Sequence, residues 1–295
     1  MKKIIVSGSL GNIGKTLTGL LVKDGHDVTV ITSSPGRTQA IEALGAKAAV
    51  GSVSDPVFLT NTLQGADALF AMTPPNMGGE NIVANTVNAG KAFADAITKS
   101  GVPRVVMLSS VGAEYTDGTG PIKGLHQIEN LYRQIPGISL TILRAGYFYT
   151  NFFNDVAMIQ HMNIMGSNFP GDVNLPVVHP DDIAAKAAQA LLVTPTGTDI
   201  QYVVSDVRQP NHIASVLGNA AGKPGLPWVP FTDEQALSGM TQAGLPAEMA
   251  GLYVEMGQAI RDHKLMTDFE KNGSPVIGNI KLEDFAKTFA TKFTA

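Results

Sequence analysis

The chain has 295 residues, enough for one large domain or one domain with a smaller lobe, and its 44% hydrophobic content is ordinary for a folded globular protein. A net charge of −4 with only 16% charged residues offers no basic face, which excludes a nucleic-acid partner on electrostatic grounds and favours a small molecule. The absence of cysteine removes thiol nucleophiles, thiolate metal sites and disulfides together.

Lys2 and Lys3 precede an apolar segment too short for a signal peptide. No run approaches the roughly 18 apolar residues of a membrane span. The expected location is the cytoplasm, with no membrane partner, and the oligomeric state is left open.

Ile4-Ile5-Val6 reads as an apolar strand; Gly8, Gly11 and Gly14 follow three apart, and an amphipathic run then carries Leu17, Leu20, Leu21 and Val22. A strand that feeds a helix through a turn without side chains lets backbone N–H groups approach a pyrophosphate, and the helix N-terminus adds partial positive charge. Strand, glycine bend, helix and second strand in that order predict a dinucleotide site. Gly14-Lys15-Thr16 looks like the end of a P-loop, but that pattern needs four residues between its first glycine and the Gly-Lys pair. Five separate Gly8 from Gly14, and the required position is Ser9.

His26 to Thr32 is the second strand, ending at Ser33-Ser34-Pro35-Gly36-Arg37. No acid lies between Val28 and Thr38 to bind the ribose hydroxyls. Thr32, Ser33 and Ser34 can instead donate hydrogen bonds, and Arg37 can supply a fork of charge-assisted ones to a 2′-phosphate. NADP(H) is therefore favoured over NAD(H).

Ala46 to Val50 gives a third strand, closed by Gly51-Ser52-Val53-Ser54-Asp55, with Pro56 suited to a first helical turn. Ala68 to Met72 gives a fourth, ending in Thr73-Pro74-Pro75-Asn76, where the prolines stop the sheet and hold an extended loop. Asn81 to Lys99 carries helical spacing, Arg104 to Leu108 is a fifth strand opening onto Ser109-Ser110-Val111-Gly112, and Ser139 to Leu143 is a sixth. Strands alternating with helices predict an α/β fold, a parallel sheet with helices on both faces. Ligands in that architecture bind beyond the carboxyl ends of the strands, so these loops should converge on one crevice.

After about Asn151 the pattern loosens. A helix returns at Asp181 to Leu192 and a strand at Asp199 to Val204; helical runs follow around Pro246 to Leu265 and Leu282 to Phe293. Residues 1–150 are expected to form the dinucleotide-binding domain, with 177–207 returning to it. Residues 151–176 and 208–295 are expected to form a smaller substrate lobe. Met158, Met162 and Met165 are expected to fill the interior as adaptable side chains, and Asp181 and Asp182 to cap the helix they open.

Several stretches together resemble the NmrA-like group of atypical short-chain dehydrogenase/reductases, which includes NADPH-dependent quinone reductases. They are Gly8 to Gly14, Ser109-Ser110-Val111-Gly112-Ala113, Leu125-His126-Gln127-Ile128-Glu129, Thr141 to Phe148 with Asn151, Val178 to Ala184 and Leu282-Glu283-Asp284-Phe285. The resemblance implies a Rossmann-type doubly wound sheet with a smaller C-terminal substrate lobe, NADP(H) in the crevice and a substrate pocket between the lobes. It implies hydride transfer to a small planar acceptor, a quinone first. The group also contains regulators that bind the dinucleotide without turning it over, and a redox-sensing regulator is the alternative.

The residues expected to contact the dinucleotide are Gly8, Ser9, Leu10, Gly11, Asn12, Ile13 and Gly14 in the bend, then Thr32, Ser33 and Arg37. Ser52 and Val53, Met72, Thr73 and Pro74, Ser109 and Ser110, and Gly146, Tyr147 and Phe148 complete the set. Two features depart from the resemblance. The Tyr-x-x-x-Lys pair of ordinary short-chain dehydrogenases is missing: Thr119 stands four after Tyr115, and the expected tyrosine and lysine regions hold Ile122 and Leu125 or His126. The arginine frequent after the second strand is replaced by Ser33, with Arg37 displaced by four.

Stacking of two rings matters more to quinone reduction than a dedicated tyrosine, so the missing pair does not disqualify a reductase. The candidate catalytic side chains are His126, which shares a helix face with Glu129 and titrates nearest neutral pH, and Tyr147. Tyr147, Phe148, Tyr149, Phe152 and Phe153 form the densest aromatic patch, suited to lining an apolar pocket or packing between lobes. Lys123 is the nearby lysine for a phenolic substrate. The histidines show no close ligand spacing, and no metal is expected.

Overall fold

The computed structural model describes residues 1–74 and 80–293; Pro75 and Asn76 lie outside the described residues. Strand β1 (Lys3–Val6) leads into α1 (Gly14–Lys23), and β2 (Asp27–Thr32) is followed by a single 3₁₀ turn, Pro35–Arg37, and α2 (Thr38–Glu42). β3 (Lys47–Val50) precedes α3 (Pro56–Leu63), which starts where Asp55 accepts the Val57 and Phe58 N–H groups at 2.9 and 3.1 Å and Pro56 needs no partner. β4 (Ala68–Ala71), α4 (Ile82–Ser100), β5 (Arg104–Ser110), α5 (Ile122–Arg133) and β6 (Ser139–Ala145) complete the alternation. Gly101 ends α4 in the left-handed conformation, at φ 70°.

Beyond it come β7 (Tyr147–Phe148), a 3₁₀ helix over Tyr149–Asp155, α6 (Val156–Met162), β8 (Met165–Ser167), β9 (Leu175–Val178), α7 (Pro180–Leu192) and β10 (Thr198–Val203). The remainder is β11 (Asp206–Arg208), α8 (Pro210–Ala220), β12 (Trp228–Pro230), α9 (Asp233–Gln242), α10 (Ala247–Arg261), α11 (Thr267–Lys271) and α12 (Leu282–Ala290).

Seven strands form one sheet in the order β10-β6-β5-β4-β1-β2-β3, with every neighbouring pair parallel. Both faces are covered, which is why its central strands read as apolar runs rather than as alternation. Ile4 and Val6 join the core under α1 and α7, while Ile5 between them joins the core under α3, α4 and α5. This is the expected doubly wound parallel sheet. The strand order reverses at β1, between β2 and β4, and the crevice of such a sheet opens there.

The second half adds a three-stranded sheet, β11-β9-β7, and a parallel pair, β12 with β8. Their apolar core is rich in rings: Tyr149 stacks on Phe285 at 5.4 Å, and Phe153 on Phe289 at 5.8 Å. Met165 is buried and Met158 partly so, but Met162 is 62% exposed on the last turn of α6, so it fills no interior space. The capping expectation also changes. His179 caps α7 by accepting the Asp181 N–H at 3.1 Å, which leaves the two aspartates for other tasks. Asp181 accepts from Thr16 Oγ1 at 2.6 Å, joining α7 to α1. Asp182 accepts from Ser205 Oγ at 2.6 Å and from the Asn279 and Ile280 N–H groups at 3.1 Å, pinning the chain that leads to α12.

Candidate active site

The bend after β1 has Gly8 and Ser9 both at positive φ, 98° and 54°. Ser9 is held by its N–H on the Ile31 carbonyl at 3.1 Å and by its hydroxyl on Thr32 Oγ1 at 2.9 Å. Ser7 locks the other side, donating to the Phe70 and Met72 carbonyls at 3.1 Å and accepting the Met72 N–H at 2.7 Å. A Cβ on Gly14 would run into the Ser9 carbonyl oxygen, and one on Gly8 into the Met72 side chain. Gly11 and Asn12 stand exposed at the rim, Leu10 is partly buried, and Ile13 is packed beneath them. α1 has no side-chain cap and no acid in its first turn. A tight helix start with no side-chain cap and no acid of its own in the first turn is an arrangement that suits a diphosphate, so the residues present fit a dinucleotide.

At the end of β2 the roles divide. The Thr32 hydroxyl is buried and accepts from Ser9 Oγ and from the Ser34 N–H, so it builds the bend. Ser33 and Arg37 are exposed and face outward from the same turn. Ser52 is exposed and Val53 half-buried at the end of β3. Next to the bend, Met72 and Thr73 are half-buried and Pro74 exposed, and Thr73 Oγ1 is a buried atom with no hydrogen-bond partner among the described residues.

Beyond β5 and β6 lies a small cavity of about 50 Å³. Ser110, Gly146 and Tyr147 line one side, and Met256, Leu265 and Met266 close the other. Ser110 Oγ donates to the Val111 carbonyl at 2.9 Å. Gly146 is required by packing, since a Cβ there would sit 2.7 Å from the Pro176 carbonyl oxygen. Phe148 turns away and packs against the core under α1 and α7.

Ser109 belongs to a buried charged frame beneath this cavity. Its hydroxyl donates to Glu129 Oε1 at 2.6 Å, and Arg144 holds both oxygens of Glu129 through Nε at 3.1 Å and Nη2 at 2.9 Å. Arg133 adds a third contact at 2.7 Å. The remaining Arg144 nitrogen reaches Asp268 at 2.9 Å, Glu114 at 3.2 Å and the Tyr202 hydroxyl at 3.3 Å, and Tyr202 also donates to Asp268. Burial holds the Glu114 carboxyl above its ordinary pKa, against the lowering effects of its own backbone N–H and Arg144.

His126 and Glu129 are not paired. The imidazole Nδ1 meets the Ala113 carbonyl at 2.8 Å, and Nε2 meets the Asn130 amide at 2.9 Å, so both ring nitrogens are engaged. Donation to a carbonyl fixes the proton on Nδ1 and leaves Nε2 as acceptor. Lys123 bridges Asp117 and Glu255 at 3.2 Å each, and these bonds hold its ammonium above its ordinary pKa despite the opposing effect of burial.

Residues 1–284 match the profile of the NmrA-like family. The chain belongs to the NmrA-like family. It is similar to the NAD(P)H azoreductase of Xenophilus azovorans, 28% identical over 258 residues that cover 86% of this chain and 85% of that one. Its fold is similar to that of the NADPH-dependent quinone oxidoreductase of Escherichia coli in complex with NADPH. That match has a TM-score of 0.82 and 19% identity, and covers 97% and 99% of the two chains. The triphenylmethane reductase of a Citrobacter species, complexed with NADP(H), matches with a TM-score of 0.78 and 19% identity over 97% and 99%.

In this NmrA-like chain, sequence reasoning missed the Glu129–Arg144 frame and the side chains that close the cavity. The frame joins residues 15 and 20 positions apart, and no periodicity reports such pairs. Met256 and Ile260 could have been marked as one face of an amphipathic helix, but nothing in the sequence aims that face at Tyr147.

Proposed function

We propose that this NmrA-like protein is an NAD(P)H-dependent oxidoreductase that passes hydride to a small planar acceptor, a quinone first, with NADPH favoured over NADH. The observation that carries the reading is the bend at Gly8 to Gly14, where any side chain on Gly14 would collide with the backbone at an uncapped helix start. Leu10, Gly11, Asn12 and Ile13 would hold the diphosphate through backbone N–H groups, as Rossmann sites do. Ser33 and Arg37 are exposed where a 2′-phosphate would lie. Thr73, whose buried hydroxyl has no hydrogen-bond partner among the described residues, and the Ser52-Val53 corner follow β4 and β3, at the carboxyl end of the sheet where the dinucleotide would lie. The names of the azoreductase and quinone-reductase relatives favour the same class of reaction.

When bound, the cofactor supplies the hydride. The chain's own residues exclude water and present the acceptor: Ser110, Gly146 and Tyr147 on the sheet side, Met256, Leu265 and Met266 on the other. A ring needs more than 50 Å³, since ligand pockets run to about 300 Å³ and above. The two methionines are the side chains best able to move aside, being unbranched and flexible. Tyr147 is the polar side chain at the cavity best suited to meet the acceptor; His126 would first have to give up one of its two bonds. Residues 151–176 and 208–295 would form the substrate lobe.

The test is titration with NADPH and NADH, followed by oxidation of each in the presence of a quinone panel. The reading predicts tighter NADPH binding and acceptor-dependent turnover. Binding with no turnover on any acceptor would overturn the reductase and leave a redox-sensing regulator.

A further inference from the structure

The wall of the cavity restricts what can enter it. Ser110 and Tyr147 supply its polar side chains, the other lining residues are apolar or glycine, and none carries a charge. The lysines that flank lining residues are engaged elsewhere. Lys123, next to Ile122, bridges Asp117 and Glu255 at 3.2 Å each. Lys264, next to Leu265, donates to the Asp117 carbonyl at 2.8 Å and lies 5.0 Å from the centre of the Tyr115 ring. An anionic acceptor would be stripped of water here with no counter-charge to meet it, whereas a neutral ring loses little.

One stretch of this wall is tied down. Leu265 and Met266, 6% and 2% exposed, close the cavity at the turn between α10 and α11. Leu265 packs so closely on the turn at Gly112 that a Cβ there would stand 2.3 Å from its Cδ2. Met266 precedes α11 directly, and its carbonyl accepts the Glu270 N–H at 2.8 Å, so its backbone moves with that helix. Two residues on, Asp268 accepts from Arg144 Nη1 at 2.9 Å and from the Tyr202 hydroxyl, and Phe269 meets the Tyr202 ring edge-on at 5.5 Å. Both partners belong to the central sheet, Arg144 to β6 and Tyr202 to β10. Arg144 is itself held by Glu129, so the tie ends on a fixed point. Across the cavity, Gly146 lies against the Pro176 carbonyl, which leaves that side no room to withdraw.

We propose that Leu265 and Met266, anchored through Asp268 to Arg144 and Tyr202, set the acceptor specificity of this site: it takes an uncharged single-ring quinone and refuses larger or sulfonated aromatics. The inference deepens the reductase reading above and rests on it. The Met266 side chain is unbranched and can swing aside to admit one ring. Its backbone is held by the tie and makes no room for further rings. Asp268 is a positioning residue, outside the cavity lining, and acts through the wall it anchors.

The test compares NADPH-dependent reduction of four acceptors by wild type, Met266→Ala, Asp268→Ala and Asp268→Asn. The acceptors are 2,6-dimethyl-1,4-benzoquinone, 9,10-phenanthrenequinone, 1,2-naphthoquinone and 1,2-naphthoquinone-4-sulfonate. Reading each variant as a change in the ratio of two kcat/KM values cancels the acceptors' own reactivities. Met266→Ala should move the ratio of phenanthrenequinone to dimethylbenzoquinone by about tenfold toward the larger quinone. Asp268→Ala should move it the same way by a smaller factor and quicken amide hydrogen exchange across 265–269. Asp268→Asn, whose amide oxygen still accepts from Arg144, should restore the wild-type ratio and exchange. The sulfonate withdraws electrons and makes its quinone the readier hydride acceptor in solution, so a wild-type preference for neutral 1,2-naphthoquinone comes from the site. A size ratio unchanged in Met266→Ala, or wild type reducing the sulfonate as well as the neutral compound, overturns this proposal alone. A ratio and exchange unchanged in Asp268→Ala overturn the anchoring role. NADPH binding without reduction of any quinone overturns the proposal together with the reductase reading.

Discussion

Two arginines stand at opposite ends of neighbouring strands, 2% and 3% exposed, and their partners differ in kind. Arg104 opens β5 and donates to neutral oxygens: the Ala190 carbonyl at 3.1 and 2.8 Å, the Ser139 carbonyl at 2.9 Å and Thr141 Oγ1 at 2.6 Å. Ala190 lies in the last turn of α7, where the helix dipole favours a cation. Arg144, near the carboxyl end of β6, is surrounded by the carboxylates of Glu129, Glu114 and Asp268. At the amino end of the sheet, charge is absorbed by backbone dipoles and serves the fold. At the carboxyl end, a charged frame holds Ser109 through Glu129 and Arg144.

The largest expected effect separates these two ends. Arg144→Met leaves three carboxylates together and should cost about 3–5 kcal/mol of stability at neutral pH, much of it recovered in acid as the carboxylates protonate. Arg104→Met loses hydrogen bonds to neutral groups and should cost about 1–3 kcal/mol with little pH dependence. Urea unfolding at neutral and acid pH measures both, and equal, pH-independent losses would erase the distinction.

Gly14→Ala should leave the fold intact and weaken NADPH binding by about tenfold, equivalent to about 1.4 kcal/mol, because the new methyl displaces the Ser9 carbonyl that shapes the bend. Unchanged affinity by calorimetry would remove the bend from the cofactor site. A smaller effect is expected of Arg37→Ala. It should reduce the preference for NADPH over NADH by several-fold to about tenfold while leaving NADH affinity unchanged, since an exposed charge-assisted bond is partly screened. Competitive titration with both cofactors decides it.

Much of the fold could be read in advance for a physical reason. Strands buried on both faces tend to be continuously apolar, and Ile4-Ile5-Val6 and Ala68 to Ala71 are so, while Val28 to Ile31 is broken only by the half-buried Thr29. The glycine bend was legible because Gly8 and Gly14 have no room for a side chain. What escaped depends on partners distant in sequence. The His126 to Glu129 spacing suggested a pair, yet Glu129 turns to Arg144 and Ser109, and His126 to Ala113 and Asn130. The short strands β7, β9 and β11 run two to four residues, too brief for alternation to show. Met162 and Met165 have the same chemistry, and their opposite exposure follows from where α6 ends.

The smallest expected effect lies within the Arg144 frame. Glu114 is held above its ordinary pKa in the folded protein, so the stability it contributes is present below its unfolded pKa and is lost as pH rises through the folded value. Glu114→Gln should therefore raise the melting temperature slightly at neutral pH and leave it unchanged in acid. A gain at acid pH alone would reverse the sign.

Backbone amide spectra of isotopically labelled protein during NADPH addition test the central claim most directly. The amides of Leu10 to Gly14 should shift together with those of Ser33 and Arg37. NADPH binding that leaves the Gly8 to Gly14 amides unmoved would contradict the account.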